Sequence, residues 1–385
     1  MTDDGNGYFL YHSIGQYPGK ATDLAAAMTE LAQVWGAAND QQWGYLFQQR
    51  ARFIDLWRNL IGAPPGTLTS CENVTQALHT FMTSLPRKRL QGKRVLVAAD
   101  CFPSNHFLLS GLSERLGFTL ETVPMRQGAS YVADEDMLAS WDQNVAVALI
   151  TWVSSTSSHR VNLATLVEHG NAMGSIVGVD ITQAAGLLPF SVSAPRAGFV
   201  ISTSLKWMCG TPGAGVLYVE ENLLQECQPE LRGWFSQDNP FSWALDKFQL
   251  ATDIRRFDNG TPGMMAAAAS VPALEWHARQ DPEAMISHNR RLSDRLVAIA
   301  DECDLPLLSP RSEKERGGSI MIKLQDKLAA SDVLEELKRH GVFADSRGQI
   351  LRLSPGPLTT ADGIEWIQHG LRAALKASTH HRTRI

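Results

Sequence analysis

An apolar run, Val177-Gly178-Val179, ends in the carboxylate of Asp180, and Lys206 stands 26 positions further on, just after Ser202-Thr203-Ser204-Leu205. Both positions read as the ends of short strands, and in open α/β sheets ligands bind at the carboxyl ends of parallel strands. A third stretch, Thr69-Ser70-Cys71-Glu72-Asn73, precedes an amphipathic helix whose first N–H groups can hold an anion. One cofactor needs all three parts. Pyridoxal 5′-phosphate (PLP) takes a lysine amine for its Schiff base and an acid against its pyridine nitrogen, so that the ring draws electrons. Its phosphate takes a helix N-terminus with hydroxyls. Each part alone is common: a strand-end Asp is more often a cap or turn residue, and a Lys after a strand is usually solvated. The three together, at this spacing, point to PLP.

Such groups need a sheet whose strand ends open on one edge. Apolar runs predict strands at Arg94–Ala99, Leu120–Val123, Ala146–Val153, Ser175–Asp180, Phe199–Ser202 and Gly215–Val219. Helical periodicity falls before and between them, at about Asn73–Leu85, His106–Leu116 and Leu163–Met173. This alternation predicts an α/β fold with a mostly parallel sheet between helices. Upstream, helices are expected at about Thr22–Trp35 and Gln41–Ile61, the second with Leu46, Phe53, Trp57 and Leu60 on one stripe. Downstream, helices at about Met264–Arg279, Pro282–Asp301, Ala330–Arg339 and Ala361–Ala377 combine with strands Ser319–Leu324 and Gln349–Leu353 as a smaller α+β domain. The expected division is an N-terminal segment over 1–45 packing with the small domain, a large cofactor-binding domain over 46–265, a small domain over 266–378 and a tail over 379–385.

Composition narrows the function classes. Of 385 residues, 44% are apolar and 19% charged, and the net charge is −5, which suits a globular protein and not a nucleic-acid binder. The basic stretch His380-His381-Arg382-Thr383-Arg384 reads as a frayed terminus. The longest apolar run, Val145 to Val153, is about half of what a spanning helix needs, so no membrane is expected. The start, Met1-Thr2-Asp3-Asp4-Gly5, lacks a secretion-signal pattern. Cys71, Cys101, Cys209, Cys227 and Cys303 show no metal-ligand spacing and read as free thiols of a cytoplasmic protein, with no metal.

The chain resembles fold-type I PLP enzymes of the class V aminotransferase group, and within it the kynureninase family. Gly233-Trp234-Phe235-Ser236, Pro240-Phe241, Ile254-Arg255-Arg256-Phe257 and Gly260-Thr261-Pro262 resemble that family's GWFGH…PF…GI-RF…GTPP run. Phe102-Pro103-Ser104-Asn105 resembles its FPTD, and Val342 to Arg347 with Leu351-Arg352-Leu353 resembles its closing GD-R…LR segment. Phe9 to Gly15 resembles its YLDGNSLG, one residue shorter, and the interval from Asp180 to Lys206 matches as well. The resemblance implies a seven-stranded sheet and a homodimer with shared sites. It implies that Lys206 forms the internal aldimine and later moves the Cα proton, that Asp180 pairs with the pyridine nitrogen, and that Phe102 stacks on the ring. Cys71, Glu72 and Ser204 are then the expected phosphate holders, Trp234 and Thr261 come from the facing subunit, and Arg352 takes the substrate carboxylate through a two-pronged contact. His12 reads equally as a turn residue or a site residue.

Four departures stand out. Leu205 replaces a tyrosine before the lysine, Asn105 replaces the acid of FPTD, Gln183 replaces a histidine near the ring, and Trp152 stands where a further histidine is expected. Asn105 and Trp152 are expected on the substrate side and Gln183 at the cofactor. The implied activity is hydrolytic Cβ–Cγ cleavage of an aromatic amino acid. The alternative is a transaminase or a β-lyase (C–S lyase), which the missing phenol favours. Desulfuration of cysteine needs a cysteine shortly before the carboxylate-binding arginine, and none follows Cys303.

Overall fold

The computed structural model describes residues 5–325 and 328–380. Residues 1–4 of the N-terminal segment and 381–385 of the expected tail lie outside the described residues. Helices α1 (Lys20–Trp35) and α2 (Gln42–Ile61) lead into β1 (Leu68–Cys71), α3 (Val74–Ser84) and the short α4 (Arg87–Leu90). The alternation follows as β2 (Arg94–Ala98), α5 (Pro103–Leu116), β3 (Thr119–Val123), α6 (Asp134–Ala139), β4 (Val145–Thr151) and α7 (Leu163–Ala172). Then come β5 (Ile176–Asp180), β6 (Phe199–Thr203), β7 (Gly215–Val219) and α8 (Glu221–Glu226). The remainder is α9 (Met265–Ala278), α10 (Pro282–Glu302), β8 (Ile320–Lys323), α11 (Ala330–Arg339), β9 (Asp345–Arg347), β10 (Ile350–Leu353) and α12 (Ala361–His380).

Seven strands form one sheet in the order β1-β7-β6-β5-β4-β2-β3. The run from β3 to β6 is parallel, and β7 is antiparallel to both its neighbours. The parallel strands are buried on both faces, which is why they read as continuous apolar runs. One face joins Val177, Val179 and Val200 to Phe53 and Trp57 of α2; the other joins Phe199, Ile201 and Leu217 to Phe81 of α3. Each such side chain contributes about 1.5–3 kcal/mol when removed from water. Gly178 makes room between the layers: a Cβ there would lie 2.0 Å from the Phe199 ring, which itself stacks on Phe81 at 3.9 Å.

The stripe on α2 follows the expected one at Leu46, Phe53 and Trp57 and differs at its end, where Ile61 takes the place expected for Leu60. Leu46, Arg50, Phe53, Trp57 and Ile61 are buried, following helical spacing, whereas Leu60 is 39% exposed. Arg50 survives on that apolar face because Asp258 accepts from its Nη1 and Nη2 at 3.0 and 2.8 Å, and Ser70 accepts from its Nε at 2.8 Å.

The second sheet, β8-β10-β9, is antiparallel and shares a core with α10, α11 and α12. That core takes its residues from Leu292 onward, while Ala267, Val271 and Leu274 of α9 pack into the large core. The chain thus enters the small core later than position 266. The N-terminal segment joins both: Phe9 lies in the small core, Tyr11 and Tyr17 in the large one. Among the described residues, no helix is long and apolar enough to cross a membrane.

Candidate active site

β5 delivers Asp180 to the carboxyl edge of the sheet, where it is almost fully buried. Its Oδ2 accepts from Asn105 Nδ2 and its Oδ1 from the Thr182 backbone N–H, each at 2.9 Å. A buried carboxylate without such donors is strongly disfavoured, and these two bonds hold it in place. β6 ends one residue before a tight turn that carries Lys206. Ser204 N–H donates to Ala214 O, Gly210 N–H to Ser204 O and Cys209 N–H to Lys206 O. The N-terminal segment braces this turn: Gly15 N–H donates to Leu205 O at 2.8 Å, and a Cβ on Gly15 would fall 1.8 Å from Lys206 O.

Asp180 and Lys206 open on one cavity of about 280 Å³. Its walls include Phe102, Val153, Thr182, Gln183, Leu205 and the α3 entry Asn73-Val74-Thr75. Asn73 caps α3, accepting from Gln76 N–H at 2.9 Å. The first N–H groups of a helix have no intrahelical partner, and Val74 and Thr75, the first two residues of α3, line the cavity. The Lys206 Nζ stands 5.3 Å from the centre of the Phe102 ring. Burial pushes its amine down to about 8, against the pull of Asp180 and with the push of the Arg352 and Arg347 charges.

Two further cavity hydroxyls, Thr151 Oγ1 and Thr182 Oγ1, are buried without a hydrogen-bond partner, as is Asn105 Oδ1 beneath Asp180. Buried polar atoms are normally paired, so unpaired ones around a lysine, a carboxylate and a helix N-terminus fit a polar ring with a phosphate. The residues present fit PLP: Lys206 for the aldehyde, Asp180 for the pyridine nitrogen, Phe102 against the ring face, and the start of α3 for the phosphate.

The expected site residues do not all meet. Phe102, Asp180, Gln183 and Lys206 line the cavity. Gln183 Nε2 donates to His12 O at 3.1 Å. Asn105 lies beneath, bonded to Asp180 and away from the substrate side where it was expected. Ser204 also turns away: its Oγ accepts from the Trp57 indole at 3.0 Å. Cys71, Glu72 and Thr261 line a neighbouring cavity of about 290 Å³. Trp152 faces away from the substrate side, because Thr151 and Val153 take the cavity side of β4 and its extension; it packs on Phe190 instead. Trp234 lies in a one-turn helix against Phe235 and Phe241, outside this cavity.

Arg352 on β10 is buried, and its two-pronged edge already holds a carboxylate. Nε donates to Asp345 Oδ1 at 2.8 Å, and Nη2 pairs with Oδ2. His12 Nε2 meets the same Oδ1 at 2.9 Å, and its Nδ1 lies 2.6 Å from Ser354 Oγ. Burial works to raise Asp345, but bonds from His12 and Arg352 outweigh it and hold the carboxyl at about 2. Residues that sequence reasoning missed are Val74, Thr75, Thr151, Thr182 and Asp345. The Asn-x-x-Gln cap at Asn73 was the available signal for the first two.

The family profile described as Aminotransferase class-V matches residues 50–381. The chain belongs to the class V aminotransferase family. Its relatives include the kynureninase of Deinococcus radiodurans, 28% identical over 295 residues, covering 74% of this chain and 69% of the relative. The kynureninase of Pseudomonas fluorescens is 24% identical, covering 93% and 86%, and the human enzyme 22%, covering 91% and 80%. Among solved structures, a cysteine desulfurase of Thermococcus onnurineus NA1 superposes with TM-score 0.86 at 19% identity over 97% of this chain and 96% of that one. The cystine C–S lyase C-DES superposes with TM-score 0.84 at 19% identity, over 95% and 97%. These two show the shared fold. The protein is thus a PLP-dependent enzyme, a kynureninase-like member of its family.

Proposed function

We propose that the protein is a hydrolase that cleaves the Cβ–Cγ bond of an aromatic amino acid, as its resemblance to kynureninases implies. What supports the reading is the convergence of Lys206, Asp180 and the start of α3 on one cavity, in a chain similar to kynureninases over most of its length. Bound there, PLP supplies an aldehyde and an electron-withdrawing ring. Lys206 would tether it and would take the proton from the substrate Cα. Asp180 keeps the proton on the pyridine nitrogen, steadied by Asn105 and Thr182. Phe102, Val74, Val153 and Leu205 keep the cavity wall apolar and favour an aromatic side chain. Arg352 orients the carboxylate end.

A β-lyase or transaminase is the second reading, and one observation favours it. Leu205 lines the cavity with a side chain that can neither give nor take a proton. The products decide between them. Kynurenine converted to anthranilate and alanine supports the hydrolase. Pyruvate with ammonia from a β-substituted amino acid, or turnover that needs a keto acid, contradicts it.

The reading extends to a homodimer that shares its sites. Trp234 and Thr261 lie outside their own chain's Lys206 cavity, and Phe241, Trp243 and Leu245 beyond them are 72%, 85% and 98% exposed. Five free thiols suit a reducing cytoplasm.

A further inference from the structure

The guanidinium of Arg352 is neutralised before any substrate arrives, because Asp345 occupies its Nε and Nη2. His12, on the other side of Asp345, is pushed below its ordinary value by burial and adds no charge near neutral pH. A substrate carboxylate docking on this pair alone creates a buried cluster of net negative charge, which is costly without a second cation. The hairpin supplies one. Asp345 lies opposite Arg352 and Arg347 opposite Ile350 in the β9–β10 register, so alternate residues put Asp345, Arg347 and Arg352 on one face. Arg347 Nη1 stands 3.8 Å from Asp345 Oδ2, on a side chain that is 66% exposed and able to swing. It donates to its neighbour's Ser346 O at 3.1 Å, a bond on the surface that is easily exchanged. The hairpin reaches the cavity through His12, whose Nε2 meets Asp345 Oδ1 at 2.9 Å and whose backbone O accepts from the cavity residue Gln183 at 3.1 Å.

We propose that Arg347 and Arg352 together bind the carboxylate of the amino-acid substrate. Asp345 grips Arg352 by its Nε edge as a positioning residue and leaves the Nη1 edge for the substrate. The two positive charges then balance two carboxylates. The proposal rests on the amino-acid reading given above and names the second contact that reading lacks.

The test is a titration of the PLP-loaded protein with L-alanine and, separately, with ethylamine, followed by the visible spectrum of the bound cofactor. Ethylamine has the amine without the carboxylate. Arg347→Gln is expected to weaken L-alanine binding roughly tenfold and to leave ethylamine unchanged, with Arg347→Lys in between. Equal L-alanine binding by wild type and Arg347→Gln overturns the clamp and leaves the amino-acid reading standing. A wild-type protein that answers to neither compound overturns both.

Discussion

Lys206 and Asp180 are the residues proposed to carry the chemistry, and each can be tested on its own. An amine titrating at about 8 is neutral in about a tenth of molecules at pH 7, against ~0.04% for an ordinary lysine. Only the neutral amine attacks an aldehyde. Cofactor capture by the apoprotein is therefore expected to speed up roughly tenfold per pH unit below 8 and to level off above it. Rapid mixing with PLP at a series of pH values measures this, and a midpoint above 10 contradicts the burial of the amine. Asp180→Asn keeps the shape and removes the charge. Cofactor binding should persist while turnover falls at least about a hundredfold, equal to about 2.7 kcal/mol of transition-state stabilisation. Turnover near the wild-type rate denies Asp180 its place at the ring nitrogen. At this scale Asp180 and Lys206 were legible as strand ends at a set interval, which are local features, whereas Phe102 was legible only through its family motif. It did not disclose Asp345 as the partner of Arg352, since that pairing depends on hairpin register. Ser204 was misplaced for a similar reason: the direction of a side chain in a turn is set by the tight 204–210 loop and the Trp57 indole.

Among the elements, β5 sets the position of the carboxylate, and Gly178 sets the position of β5. Gly178→Ala drives a methyl into Phe199, which has no slack against Phe81. The expected cost is about 1–3 kcal/mol of stability together with weakened PLP binding, because the strand end moves. Thermal melts and cofactor titration of the variant measure both, and an unchanged melt with full cofactor binding rejects the wedge. The central strands were legible as apolar runs with helices between them. β1 was not, because Leu68–Cys71 is four residues of mixed polarity that becomes a strand only by pairing with β7. The orientation of Trp152 was hidden for the opposite reason. The run from Val145 to Val153 is apolar apart from Thr151, so no regular alternation marks which residues face the cavity.

At the scale of the whole molecule, the N-terminal segment ties the small-domain core to one core of the large sheet. Phe9 anchors it in the small core, His12 holds Asp345, and Gly15 rests on the lysine turn. The β9–β10 hairpin and the lysine turn thus both rest on this stretch of chain. That segment resembled a family motif in the sequence, but its contacts on both sides are tertiary and left no local trace. In the proposed homodimer the facing chain completes the site, and the exposed Trp243 and Leu245 are the residues to probe. Replacing both with Glu is expected to weaken association by about 2 kcal/mol or more, roughly thirtyfold in the dimer constant. Sedimentation of wild type and variant at matched concentrations reads this directly, and a wild-type protein that sediments as a monomer contradicts the shared-site proposal.

The most direct measurement is the mass of the cofactor's attachment. The protein is loaded with PLP, reduced with borohydride, digested and mapped by mass spectrometry. The reduced cofactor is expected on the peptide containing Lys206 and absent in Lys206→Ala. Attachment at another lysine, or none, contradicts the account.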